Sequence, residues 1–138
     1  MTESRKAKKL RVFKTKWFVR FARQQGIKDA ALCEAIANAE KGLIDADLGG
    51  GVIKQRIARR HEGKSGGFRS IVLFRSGDKV FFVYGFAKNA RSNIRKDELA
   101  GFRELADFML SYDQSALKKA LGSGAIVEVK CDEQDLSG

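Results

Sequence analysis

The chain has 138 residues, enough for one domain with a buried core, and a formal net charge of +10. Its composition, 43% hydrophobic with ten Phe, excludes a disordered protein and favours a globular one. No apolar run approaches the roughly 20 residues of a membrane-spanning helix, and no apolar signal segment follows the basic start. We therefore expect a cytoplasmic protein that does not use a membrane.

The basic residues are concentrated in two segments. Residues 1–28 carry a net charge of +9 and residues 52–91 a net charge of +8, whereas residues 29–51 and 92–138 are acidic, at −4 and −3. In the second basic segment the cations alternate with strand-forming residues, so a folded sheet would hold them at fixed spacing. This pattern suits a polyanion, and the alternative is a solvated sheet face that binds nothing.

The N-terminal part of the chain predicts a strand followed by two helices. Residues 1–9 lack apolar periodicity and are expected to be a flexible lead-in to a short strand over residues 10–14. A first helix is predicted between an N-cap at Thr15 and a left-handed Gly26, and a second over residues 29–41. Their apolar stripes predict an αα-hairpin that packs through core residues Trp17, Phe21, Leu32 and Ile36.

Strand patterns begin after three consecutive glycines. Strands are predicted over residues 52–59, 68–75 and 79–87, and a hairpin turn over residues 76–78 joins the last two. The third strand is apolar on both faces, which predicts a central position in an antiparallel sheet.

The C-terminal part predicts helix and then strand. A helix is expected over residues 97–112, a further helical turn or two over residues 115–121, and a short strand over residues 125–130 that can join an edge of the sheet. Residues 131–138 are expected to be a flexible tail. The prediction is an α+β domain over residues 10–130: a small antiparallel sheet with an N-terminal α-hairpin and a C-terminal helix packed on one side, and the cations on the opposite face or an edge.

The usual catalytic and metal-binding sets are absent from the sequence. Cys33 and Cys131 lie far apart with no Cys/His cluster, so we expect no zinc site, and Cys33 is interpreted as a small apolar residue. His61 has no second histidine to work with. Asp45 and Asp47 are the nearest approach to a carboxylate cluster, and solvation explains them. No metal and no cofactor is expected.

What remains is a set of cations at or near the predicted strands, with two polar neighbours: Lys54, Arg56, Arg69, Lys88 and Arg91, with Asn89 and Tyr84. Arginine binds phosphate through two parallel hydrogen bonds and stabilises charge on its oxygens. Lysine can take or give a proton. In RNA the 2′-hydroxyl is a nucleophile already beside the phosphate, so such a set can perform phosphate chemistry without a metal.

Three segments carry a resemblance to a known family: GGGVIKQRIAR at residues 49–59, GKSGGFR at residues 63–69 and FFVYGFAKN at residues 81–89. In this order they resemble the RelE/HigB superfamily of bacterial type II toxins, over about residues 12–129. The resemblance implies a RelE-like fold. It also implies a toxin that cuts messenger RNA, usually at the ribosomal A site, and leaves a 2′,3′-cyclic phosphate by using Lys and Arg.

The resemblance also implies roles for individual residues. The catalytic residues it implies are Lys54, Arg56, Arg69 and Lys88. The RNA-binding residues it implies are Arg59, Arg60, Lys64, Asn89 and Arg91. The chain departs from the family in two places: Asn89 stands where an Arg is frequent, and Arg95 lies near the place of a functional Tyr.

The expected function is therefore the toxin of a type II toxin–antitoxin system, a metal-independent endoribonuclease that cleaves mRNA on the ribosome. Its expected partners are mRNA, the ribosome and a cognate antitoxin with a helix-turn-helix DNA-binding domain. The alternatives are a non-nuclease relative that poisons DNA gyrase, a plain RNA-binding module, or a module whose basic face receives an acidic partner segment. The helix with Trp17 and Phe18 and the basic N-terminal segment are the expected antitoxin-docking surface, although a core position is the preferred interpretation of Trp17.

Overall fold

The computed structural model describes residues 10–58, 67–75 and 78–131. Within these ranges the strands are β1 Arg11–Thr15, β2 Ala46–Gly49, β3 Val52–Ile57, β4 Phe68–Phe74, β5 Lys79–Ala87 and β6 Ile126–Val129. The helices are α1 Lys16–Gln25, α2 Asp29–Glu40, α3 Lys96–Met109 and α4 Gln114–Ser123. None of these four helices is long and apolar enough to cross a membrane.

The six strands form one sheet in the order β2-β3-β4-β5-β1-β6. Strands β2 to β5 form an antiparallel ladder, as predicted for β3, β4 and β5, and β6 lies at an edge as predicted. The expectation of a purely antiparallel sheet is wrong, because β1 pairs with β5 in parallel. Val12 and Phe13 of β1 are buried on opposite faces, so this strand needs an interior position, which it finds between β5 and β6.

Helices cover both faces of the sheet, and the expectation that they lie on one side is wrong. Helices α1 and α2 pack on the face that contains Ile53, Val72 and Phe82. Helices α3 and α4 pack on the face that contains Val52 and Leu73. The reason lies in β5, whose residues 80–83 are all buried, so that each of its two faces must be covered.

The two helices of the predicted α-hairpin are present in consecutive positions, and each is held on the sheet. The Thr15 hydroxyl caps α1 by accepting a hydrogen bond from the Phe18 N–H at 3.3 Å, and Gly26 ends the helix at φ +69°. Helix α1 contacts β1 and β5, whereas α2 contacts β3. Asp29 is the first residue of α2 and forms an ion pair with Lys14 at 2.9 Å.

Trp17 is a correction to the predicted core. Phe21, Leu32 and Ile36 are buried, but Trp17 is 44% exposed. Strand β1 pairs with β5 only as far as Lys14 opposite Phe82, and the chain then turns into α1. The indole therefore lies beside the continuing part of β5, with its centroid 4.7 Å from that of the Tyr84 ring and 5.3 Å from that of Phe21.

A disulfide joins Cys33 of α2 to Cys131, which follows β6, across a sequence separation of 98 residues. The sequence does not predict this bond: Cys33 is interpreted there only as a small apolar residue, and Cys131 is expected in the flexible tail. Its side chain is indeed fully buried, and Cys131 packs against the same core. The two cysteines meet because α2 and the end of β6 contribute to the same face of the sheet, which spacing alone does not reveal.

Gly85 is predicted to be a packing position that tolerates no side chain. An Ala Cβ there would lie 2.5 Å from Phe21 Cε2, and the Phe21 ring is held between Trp17 and Phe68, with centroids at 5.3 and 6.0 Å. We expect Gly85→Ala to lower the free energy of unfolding by about 1–3 kcal/mol in urea titrations. The control Gly101→Ala, with nothing within 4 Å on α3, should be neutral or add up to about 1 kcal/mol. Equal urea midpoints for the two variants would contradict this packing.

Candidate functional site

Three predicted cations meet on one face of the sheet because of the register between β3 and β4. Arg56 lies directly opposite Arg69, and Lys54 lies opposite Ile71. Lys54 and Arg56 are two residues apart on one strand, so both point to the face that α3 and α4 cover elsewhere. Arg56 is exposed, whereas the side chains of Lys54 and Arg69 are each only 16% exposed.

A carboxylate lies among these cations. Asp45 Oδ2 is 3.1 Å from Arg69 Nε and 3.9 Å from Lys54 Nζ. Asp45 immediately precedes β2, and β3 lies between β2 and β4, so the Arg69 side chain reaches across β3 to meet it. Lys54 Nζ also lies 3.5 Å from Asn93 Oδ1, which ties it to the segment before α3. Lys54 and Arg69 are therefore arranged around a negative group, whereas Arg56 is exposed to solvent.

A buried glutamine on the opposite face fixes the position of Asp45. Gln55 is 3% exposed, and its Nε2 donates to the carbonyl oxygens of Ala35 at 2.8 Å and Leu43 at 3.0 Å. Its Oε1 accepts from the backbone N–H of Asp45 at 3.1 Å. The backbone carbonyl of Gln55 accepts from the hydroxyl of Ser70, its register partner on β4, at 2.9 Å. Helix α2, the 43–45 segment and both strands are thus joined by one satisfied polar network.

Lys88 comes to the same end of the sheet through Gly67. The backbone N–H of Lys88 donates to the Gly67 carbonyl at 3.4 Å. An atom at the Cβ position of Gly67 would lie 3.5 Å from Arg56 Nε, so the Arg56 side chain passes close to this glycine. Gly67 therefore has Arg56 on one side and the start of the 88–90 turn on the other. The side chains of Lys88 and Asn89 are both exposed in that turn.

Arg91 is held by the protein itself. Its guanidinium donates to Glu98 Oε1 at 2.6 Å and to the Tyr84 hydroxyl at 2.9 Å, and its centre lies 5.6 Å from the centroid of the Phe86 ring. The hydrogen bond to Glu98 raises the pKa of Arg91 above its ordinary value, and the same bond holds the pKa of Glu98 below its ordinary 4.5. Arg91 thus fastens the segment between β5 and α3, whatever else it binds.

Aromatic residues continue the cationic rows across the sheet. Arg56, Arg69 and Phe86 occupy successive register positions on β3, β4 and β5. The neighbouring row consists of Lys54, Ile71 and Tyr84. Since adjacent strands lie about 4.8 Å apart, these cations and aromatic rings are neighbours on one face of the sheet, where Ile71 and Phe86 are buried.

Part of the predicted site lies outside the described residues. Arg59, Arg60 and Lys64, predicted to bind RNA, fall in the segment between residues 58 and 67, as does His61. Within the described ranges, no group of three or more His, Cys, Asp and Glu side chains comes together in a way that could hold a metal ion.

Asp45 is the residue that the sequence analysis missed, because it was interpreted as a solvated carboxylate. The available signal was the run of three glycines, which join β2 to β3 at φ +83°, +64° and +84°. The register shifts between Asp47 and Gly49, so that Ala46 pairs with Lys54 and Asp45 lies beside the basic strand. Without β2 in the prediction, this neighbour could not be seen.

Comparison with known protein families gives one match, which spans residues 10–129. The matching family is described as the RelE toxin of the RelE / RelB toxin-antitoxin system. Among curated proteins, none matches the chain.

The pair of Arg91 and Glu98 predicts an acid-sensitive contribution to stability. A carboxyl group whose pKa is lower in the folded state stabilises the fold above its ordinary pKa, here 4.5. That stabilisation is lost as the pH falls through the lowered value. Arg91→Gln should therefore reduce the melting temperature at neutral pH, and the difference from the wild type should shrink as the pH falls below 4.5.

Lys88→Gln is the matched control, since it removes the same charge from an exposed side chain in the same segment. We expect its melting temperature to follow that of the wild type at every pH. A loss for Arg91→Gln that is equal at neutral and acidic pH would show that the ion pair is not its cause.

Proposed function

The chain belongs to the RelE family, the toxins of toxin–antitoxin systems, and we propose that it is a metal-independent endoribonuclease that cleaves messenger RNA on the ribosome. The observation that carries this proposal is the opposition of Arg56 and Arg69 across β3 and β4, with Lys54 on the same face. Cations held at fixed strand positions can contact a phosphate together, which supports the proposal.

The proposed reaction uses the RNA's own nucleophile. The 2′-oxygen attacks the adjacent phosphorus, the bond from phosphorus to the 5′-oxygen breaks, and the products are a 2′,3′-cyclic phosphate and a 5′-hydroxyl. Negative charge grows on the non-bridging oxygens, and Arg56 and Arg69 stabilise it. Lys54 and Lys88 are the proposed proton-transfer groups: one proton leaves the 2′-hydroxyl and one is delivered to the 5′-oxygen.

The hydrogen-bonding capacity of Arg69 is not used up by the protein. Its Nε meets Asp45, but its Nη1 is buried and has no acceptor in the described part of the chain. A buried donor without a partner carries a free-energy cost, which a bound phosphate oxygen would remove. Such a cost is typical of a group retained for binding rather than for stability.

Further residues are proposed to bind RNA. Asn89 and Lys88 are exposed on the turn after β5. Arg91 can contribute through its position over Tyr84 and Phe86. Arg59, Arg60 and Lys64 are proposed as further phosphate contacts from the adjoining segment.

Arg69→Ala tests the proposal directly. We expect RNA cleavage to fall about 10²- to 10³-fold, because one stabilising donor is lost from the transition state, and growth arrest on induction to disappear. The measurement is mapping of RNA 5′ ends after induced expression, with a chemical test for the cyclic phosphate and a parallel reaction in EDTA. Substrate with a 2′-deoxy sugar at the cut site should not be cleaved.

Arg75→Ala is the matched control. Arg75 follows the C-terminal end of β4, whereas Arg69 lies near the start of that strand. Arg75 pairs with exposed Asp107 at 3.0 Å, so this variant removes an arginine ion pair away from the site. It should retain full cleavage. If induction of the wild type arrests growth and inhibits DNA gyrase but produces no new RNA ends, the nuclease proposal is wrong and the gyrase-poisoning alternative takes its place.

A cognate antitoxin follows from the family, and we propose that a protein with a helix-turn-helix DNA-binding domain docks on α1. The structure corrects one part of the expected surface: Phe18 is fully buried and cannot contact a partner. Trp17 is exposed and lies against Tyr84, on the strand that carries the aromatic continuation of the cationic surface. An antitoxin on Trp17 would therefore lie close to that surface.

Trp17→Ala should weaken binding of the antitoxin, taken as the product of the adjacent gene, by about 10-fold or more, since buried tryptophans dominate interface energies. Titration calorimetry with the purified pair measures the effect. Phe108→Ala provides the comparison, because Phe108 is a comparably exposed aromatic residue on α3, which packs on the opposite face. If both variants bind as tightly as the wild type, the docking surface lies elsewhere.

A further inference from the structure

We propose that Asp45 is a positioning residue for the cationic site: it holds the Arg69 guanidinium across β3 and spaces it from Lys54. This inference rests on the proposed function for its catalytic consequence. The contacts that support it, at 3.1 Å to Arg69 Nε and 3.9 Å to Lys54 Nζ, are independent of that function.

Arg69 needs such a partner because of its neighbours in the sheet. Its register neighbours are Arg56 on one side and Phe86 on the other, so the nearest polar side chain on the sheet repels it. A long arginine side chain has several rotamers, and repulsion alone would turn this one away from Arg56. The carboxylate of Asp45 selects the Arg69 rotamer that crosses β3. Arg69 is thereby kept beside Arg56 in spite of the repulsion between the two charges.

Asp45 is itself held in place, which separates it from an ordinary surface acid. Its backbone N–H is bound by Gln55, and Gln55 is bound by carbonyl groups of Ala35 and Leu43. A carboxylate on a mobile loop would pair with whichever cation came nearest. A carboxylate fixed from α2 imposes one position on the cation, as supporting residues do at preorganised sites.

The contact leaves one donor of Arg69 without a partner in the described residues. One oxygen of Asp45, Oδ2, meets the Nε side of Arg69, while Nη1 has no acceptor in the described residues. Arginine can use one edge for a supporting carboxylate and the other for a phosphate. The alternative role is competition: as an anion in the site, Asp45 could occupy the place of a phosphate and inhibit binding. The two roles predict opposite changes in the rate of cleavage.

The test is Asp45→Asn, assayed separately for RNA binding and for cleavage. Removing a negative charge from a cationic surface should leave the affinity for a non-cleavable 2′-deoxy RNA unchanged or tighter. The rate constant for cleavage at saturating RNA should fall roughly 10- to 100-fold, because Arg69 loses its fixed position. Asp45→Glu, which keeps the charge on a longer side chain, should recover part of that rate. A merely structural defect would weaken binding and cleavage together.

Asp107→Asn is the matched control. It removes a carboxylate that pairs with an arginine at 3.0 Å but lies outside the site, so binding and cleavage should both stay at the wild-type level. An unchanged rate for Asp45→Asn would overturn the proposal. A faster rate would overturn it in favour of competition with the phosphate.

A second measurement does not depend on catalysis. In the nitrogen-15 spectrum of arginine side chains, the Arg69 Nε–H, assigned by its loss in Arg69→Lys, should be protected from exchange in the wild type. It should lose that protection in Asp45→Asn but not in Asp107→Asn. If the wild type cleaves no RNA, the proposed function fails and this spectrum still decides whether Asp45 holds Arg69. An unprotected Nε–H in the wild type would show that it does not.

Discussion

The antiparallel register between β3 and β4 is the constraint on which the site depends. This register places apolar residues in the cores on both faces of the sheet, with Val52 opposite Leu73 and Ile53 opposite Val72. A slip of one residue would turn the side chains of a strand to the wrong faces. The same register puts Arg56 opposite Arg69. Hydrophobic burial therefore places two like charges at opposite register positions, which electrostatics alone would disfavour.

The protein offsets this repulsion with a small number of polar groups that are well satisfied. Gln55 and Ser70 are the buried polar residues of the described sheet, and they are register partners. The Ser70 hydroxyl donates to the backbone carbonyl of Gln55, and the Gln55 side chain donates to the Ala35 carbonyl of α2. They lie on the face opposite the cations, so the network that supports Asp45 is built on the side of the sheet that α1 and α2 cover. The position of Asp45 on the cationic face is thereby supported from the opposite face of the sheet.

The sequence predicted those features that depend on local pattern. Periodicity located the helices and β3 to β6, and the two-residue spacing of Lys54 and Arg56 put them on one face. The sequence did not predict that β1 lies between β5 and β6 and pairs with β5 in parallel, because strand order is a long-range property. Asp45, Trp17 and the bond between Cys33 and Cys131 were missed or misplaced for a related reason: each owes its role to a neighbour that is distant in the sequence.

The disulfide gives this arrangement a dependence on redox conditions. Closing a loop of nearly 100 residues lowers the entropy of the unfolded chain, which corresponds to roughly 4–5 kcal/mol in the simplest chain model. A reducing compartment, where thiols are kept free, removes that contribution. Cys33 precedes Ala35 by two residues on α2, and the Ala35 carbonyl is the one that receives Gln55. Formation or reduction of the bond between Cys33 and Cys131 is therefore linked, through half a turn of α2, to the Gln55 hydrogen bonds that hold Asp45 among the cations.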